Sequence, residues 1–142
     1  MGGRTIGIVA TLAIGSALAA DLPQRDTGES VSIVQLIANP DRYDGKVIFL
    51  SAYAIVRFEG NSLCMVPKAA SSKDCVWLEL YDGPDETGQD IVRYKRALAK
   101  WRPLNGKLVS VRGTFSKTNT GHFGQFSGAI EKISDVYSQS RK

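Results

Sequence analysis

Three observations predict a small, mostly β domain. Runs rich in β-branched, aromatic and aliphatic residues recur between turn signals, only two short stretches carry a helical apolar period, and the length leaves room for one core. The chain has 142 residues, of which 1–19 read as a removable secretory signal, leaving 123. A chain of that size supports one apolar core and excludes a second catalytic domain.

The signal reading rests on order. Arg4 supplies one positive charge, and Thr5 to Leu18 is uncharged but short of the about 20 apolar residues that span a bilayer. Ala17 and Ala19 then form a small-x-small cut ahead of Ala20. An uncleaved anchor or a buried helix is the competing reading, and the absence of cysteine near the cut argues against a lipoprotein. Cleavage leaves no transmembrane segment and implies a periplasmic or secreted protein. Residues 20–30 are polar, contain Pro23 and Gly28, and read as a flexible leader. A single domain is expected over 31–137, with a polar tail over 138–142.

Each element has its own warrant. Ser32 with Gln35 is a capping-box pattern, and Val34, Ile37 and Ala38 keep helical spacing until Asn39-Pro40, which predicts one short helix. Asp44-Gly45 opens a long strand over 46–58, Glu59-Gly60-Asn61 turns it, and 62–66 returns as a second strand. A polar loop over 67–74 leads to a third strand over 75–81. Alternation points Val76, Leu78 and Leu80 into the core, and Cys75, Trp77, Glu79 and Tyr81 away from it. By the same parity Leu63 and Met65 face inward and Cys64 outward. Thr87 with Asp90 opens a second helix, whose Ile91, Tyr94, Leu98 and Trp101 form the docking stripe and whose Arg93, Arg96 and Lys100 form the opposite one. Asn105-Gly106 leads into a fourth strand over 107–116, and a glycine-spaced fifth covers 122–133.

Three strands, a helix and two strands is the order of a five-stranded OB-like Greek-key barrel, here with an N-terminal helix and a helix between strands three and four. A small α+β sandwich is the alternative.

The residues also carry a resemblance. The run Val31-Ser32-Ile33-Val34-Gln35-Leu36-Ile37-Ala38-Asn39-Pro40, then Tyr43-Asp44-Gly45-Lys46, Phe58-Glu59-Gly60-Asn61, Gly121-His122-Phe123-Gly124 and Phe126-Ser127-Gly128 resemble a group of uncharacterised exported bacterial proteins. Their barrels are OB-like, of the tRNA-anticodon-binding-like superfamily. The resemblance spans nearly all of the mature chain and implies the fold, but brings no activity, ligand or catalytic residue.

Cysteine usage is simple. Cys64 and Cys75 are the only two, export places them where thiols oxidise, and their parity puts them on one face of neighbouring strands. Opposed residues of an antiparallel pair lie about 4.5 to 5.5 Å apart at Cα, so a structural disulfide is expected. A redox-active pair is the other reading, but such pairs sit two residues apart at a helix N-terminus. Two cysteines and one distant histidine make no structural zinc site, and no metal or cofactor is expected.

Chemistry-bearing residues are sparse. No nucleophile elbow, zincin motif, P-loop or dinucleotide fingerprint occurs, which points away from an enzyme. The sole histidine, His122, is a candidate ligand contact or a turn histidine bonded to backbone. Loss of Arg4 from 18 Lys and Arg leaves 17 against 14 acids, a formal +3 that does not by itself imply a polyanion. Charge is blocked, however. Asp74 to Asp90 contains no Lys or Arg, and Ile91 to Lys117 contains no Asp or Glu. Arg93, Arg96 and Lys100 therefore become candidates for binding an anionic partner, unless the two blocks face each other or simply solvate the surface. Trp77 and Tyr81 fit an OB ligand face, yet Glu79 between them repels phosphate, which argues against nucleic acid and toward a protein or envelope component. The expected function is a non-enzymatic binding module. The alternatives are an inhibitor or immunity-type protein that blocks a secreted enzyme, and an exported hydrolase of unrecognised type.

Overall fold

The computed structural model describes residues 2–3, 28–80 and 89–139. The signal segment, its cut site, most of the leader, Tyr81, Asp82, Asp85, Glu86, Thr87 and the last three residues lie outside the described residues.

Strand β1 (Glu29–Ser32) lies parallel to the start of β2 (Val47–Ile55), with Glu29 opposite Ile48 and Ser32 opposite Ser51. Glu29 and Ser30, inside the stretch read as leader, thus belong to a strand, because they find ladder partners on β2. Helix α1 (Ile33–Ala38) carries the capping box: the Gln35 amide donates to Ser32 Oγ at 3.2 Å, and the Ser32 amide donates to Gln35 Oε1 at 3.0 Å. Its inward stripe is Ile33 and Leu36, with Ile37 packed beside them, while Val34 is exposed. The apolar period was therefore rotated from the one expected. Asn39-Pro40 ends α1 but does not end helical structure, since Pro40 is the first residue of α2 (Pro40–Tyr43), a position that needs no amide hydrogen. Tyr43 is buried there.

Five strands close on themselves. β2 pairs antiparallel with β3 (Ser62–Cys64), β3 with β4 (Cys75–Leu78), and β4 runs parallel to β6 (Ala129–Ser138). β6 pairs antiparallel with β5 (Leu108–Ser116), and β5 returns to β2. The product is a closed five-stranded barrel rather than a sandwich. Alternation along β2 sends Ile48, Leu50, Ala52 and Ala54 inside, where they meet Leu63, Val76, Leu78, Val109, Val111, Phe115 and Ile130. Helix α3 (Asp90–Trp101) lies between β4 and β5 in the chain. No helix among the described residues is long and apolar enough to cross a membrane.

Four local expectations change. Met65 is exposed because β3 ends at Cys64 and the inward parity stops with it. Ile91 is 64% exposed, since α3 docks through buried Trp101 and half-buried Leu98 and Tyr94 rather than through its first turn. The last strand starts at Ala129, not His122: His122–Gly124 form a short helical turn, and Gly121, Phe123, Gly124 and Gly128 all have positive φ, so the chain bends repeatedly before it enters the ladder. That strand also runs to Ser138, opposite Val109, so residue 138 belongs to the barrel and not to a tail.

The disulfide is present. Cys64 and Cys75 are directly opposed on β3 and β4 with Cα atoms 4.2 Å apart, and both are buried. With Phe126 they form a second, smaller apolar cluster on the outside of the barrel, flanked by Ile55, Ala69 and Trp77.

Candidate binding surface

Trp77 stands on the outer face of β4, where alternation put it, and is half-buried. Its ring centroid lies 5.3 Å from that of Phe126 at a tilt of 55°. The backbone of Gly121 covers the indole so closely that a Cβ at residue 121 would lie 2.7 Å from Trp77 Cδ2. The indole N–H donates to Glu79 Oε2 at 3.1 Å. Trp77 is therefore the seat on which the β5–β6 loop rests. Asn119 stitches that loop down further: its amide nitrogen donates to Glu131 Oε1 at 2.9 Å and to Glu79 Oε2 at 3.4 Å, while its oxygen accepts from the Gly121 amide.

Seated in this way, the β5–β6 loop meets the β2–β3 hairpin. His122 Nε2 lies 3.3 Å from Glu59 Oε2. The geometry is a close approach rather than a hydrogen bond, because the buried Nε2 has no hydrogen-bond partner among the described residues. The Phe123 ring packs edge-on against the imidazole, with centroids 3.9 Å apart. Glu59 and Phe123 both hold left-handed backbone, at φ 50° and 55°. Side chains with a Cβ avoid that region unless their surroundings impose it, and such strain concentrates at functional loops. Beside these two residues, Phe58 is 89% exposed and Phe123 is 81% exposed.

On its other flank the hairpin faces α3. Val56, Arg57, Phe58, Tyr94, Leu98 and Arg102 line a groove of about 340 Å³. Asn61 donates to the Tyr94 hydroxyl at 3.5 Å, and the Val56 amide donates to Asn105 Oδ1 at 2.8 Å, so both walls are tied to the barrel. The only charged residues of the lining are Arg57 and Arg102.

The candidate residues fall into separate places. His122 is at the junction of the two loops, Trp77 lies beneath it, and Tyr81 is outside the described residues. Arg93, Arg96 and Lys100 are exposed on the stripe of α3 that does not line the groove. No group of three or more His, Cys, Asp or Glu among the described residues is placed to hold a metal ion. Compared with protein-family models, curated proteins and solved structures, the chain matches none of them. Its residues alone carry the functional reading. Phe58, Phe123 and Arg57 were not among the sequence candidates, although a signal existed: Phe58 and Phe123 both sit in glycine-containing turns, where a large apolar side chain has no core to enter.

Proposed function

We propose that this chain is an exported, non-enzymatic interaction module on an OB-like Greek-key barrel, and that it docks a protein of the cell envelope through the β2–β3 hairpin tip. The OB-like reading is supported by the strand order, β2-β3-β4-β6-β5 closing on β2, with α3 between β4 and β5. Export is supported by the charge, apolar run and Ala17-x-Ala19 site in sequence, and by a disulfide formed from the only two cysteines.

One observation carries the docking reading. Phe58 and Phe123 are held in water on two loops joined by the Glu59–His122 contact, next to a groove that is apolar along its length and cationic at Arg57 and Arg102. Exposed aromatics on a braced scaffold bury their area on contact with little ordering cost, which is how hot spots work. The groove would receive an apolar anchor, and the two arginines favour a partner with acidic residues beside it. Glu59, Glu79 and Glu131 on the same flank disfavour a phosphate backbone.

The test is a periplasmic pull-down with cross-linking, run beside the Phe58→Ser/Phe123→Ser double variant. Both positions are exposed, so the variant should unfold at the same temperature as the parent. Truncating a hot-spot aromatic costs about 2 kcal/mol or more, roughly thirtyfold each, so the partner should be lost. Retention of the same partner at the same affinity would refute this surface. A captured secreted enzyme whose activity falls on binding would mark the module as an inhibitor.

A further inference from the structure

The disulfide forms the floor of a second cavity, separate from the docking groove. Ile55, Arg57 and Ser62 wall it on the hairpin side, Pro67 to Ser72 close the other side, and the volume is about 340 Å³. Its charge is one-signed. Arg57 and Lys68 contribute cations, and no carboxylate is in the lining. Neither cation makes an ion pair among the described residues, whereas the neighbouring Lys73 is turned away to the Gly124 carbonyl at 3.4 Å.

Hydroxyl donors complete the ring. Ser71 Oγ accepts from the Lys73 amide at 3.1 Å, which leaves its own O–H free to donate, and Ser72 Oγ has no partner among the described residues. Gly60 leaves room for the Arg57 side chain. The arginine stem lies across Gly60, where a Cβ would meet Arg57 Cγ at 2.9 Å and clash harder still with Nε, so only glycine admits that path. The rest of the wall, Ile55, Pro67, Ala69, Ala70 and the disulfide, is apolar and leaves room for a small carbon body behind the anion.

We propose that this cavity binds a phosphate or sulfate monoester on a small organic group, with Arg57 and Lys68 as the paired cations and Ser71 and Ser72 as donors. Two cations and two hydroxyls that are without side-chain acceptors among the described residues, set around one open concave volume, match a tetrahedral oxyanion, and charge-assisted hydrogen bonds are about twice as strong as neutral ones. Such a group can be carried by a soluble ester or by a lipid headgroup. The site is independent of the docking surface except for Arg57, which borders both.

Titration calorimetry of the mature chain at low salt, with glycerol phosphate, inorganic sulfate and vesicles containing phosphatidic acid, tests this. Saturable binding that sulfate competes away is expected for the soluble ester. Binding confined to vesicles and lost in Lys68→Gln assigns the headgroup as the source. Lys68→Gln and Gly60→Ala, the latter displacing Arg57 without removing charge, should each weaken binding about tenfold. Phe58→Ser/Phe123→Ser should leave it unchanged, which separates failure of this site from failure of the docking surface. No saturable binding of any probe at millimolar concentration, or undiminished binding by Lys68→Gln, would overturn the proposal.

Discussion

Gly121 shows how a single missing side chain positions a loop. Its backbone, at φ 66° and ψ −161°, occupies a region that only glycine enters freely, and it presses against the Trp77 ring. Gly121→Ala should therefore cost about 1–3 kcal/mol in urea unfolding, from backbone strain alone before the clash with Trp77 is counted. An unchanged midpoint would mean the loop is not seated on Trp77. Strand parity revealed that Trp77 leaves the barrel outward, but not that a glycine more than forty residues later would cover it; that contact depends on closure of β4 against β6. Lys117 gives a case with the opposite weight. Its Nζ donates to Asp41 Oδ1 at 2.6 Å, and this hydrogen bond, with the charge of Asp41, raises its pKa above the ordinary lysine value. A raised folded pKa adds stability that is fully present below the unfolded value and lost as pH climbs through the folded one. Because the pair is exposed, solvent screens it. Lys117→Met should accordingly change stability little at neutral pH, and any difference should vanish in strongly alkaline buffer.

At the scale of elements, α3 separates what periodicity can and cannot reveal. The step of three and four residues through Ile91, Tyr94, Leu98 and Trp101 identifies one face of the helix, and Trp101 is indeed buried at 3% exposure. Where along that face the barrel ends is not periodic information, so Ile91 was expected inside and is exposed. Trp101→Ala should cost about 3–5 kcal/mol as a large-to-small core change, whereas Arg96→Ala and Ile91→Ser should each stay near the small values of surface substitutions. Chemical denaturation of the three variants checks the order, and equal small effects would mean that α3 is not docked. The late start of β6 has the same origin. Its glycines are plain in sequence, but whether such glycines lie inside a strand or bend the chain before it depends on φ, and here Gly121, Gly124 and Gly128 bend it. The docking surface escaped for a related reason: Phe58 and Phe123 lie far apart in the chain and become neighbours of the Glu59–His122 contact only when two loops converge.

Over the whole molecule, barrel closure is uneven. The β2–β5 ladder runs from Val47 opposite Thr114 to Tyr53 opposite Leu108, and β5–β6 is of similar length. The β4–β6 seam consists only of Trp77 and Leu78 opposite Ala129 and Ile130, extended by the amides of Trp77 and Glu79 bonding to Gly128 and Ile130. β3–β4 is also short, ending where Cys64 meets Cys75. Short ladders open at lower free energy than long ones, so the β3–β4 ribbon is the natural unit of local opening. The disulfide links the two strands of that ribbon and limits the chain freedom gained when it opens; in the chain-entropy model a loop this short is stabilised by about 3 kcal/mol at most. Replacing both cysteines with serine should therefore leave the barrel folded but unequal. Hydrogen exchange should accelerate chiefly across Ser62–Cys64 and Cys75–Leu78, with the Trp77 and Glu79 amides following, while β2 and β5 keep their protection. The cavity above the disulfide should lose its oxyanion with the ribbon, and the Phe58–Phe123 surface, braced by β2 and the β5–β6 loop, should lose less. A uniform rise in exchange across all five barrel strands would show instead that the molecule opens as one cooperative unit and that the disulfide stabilises it globally.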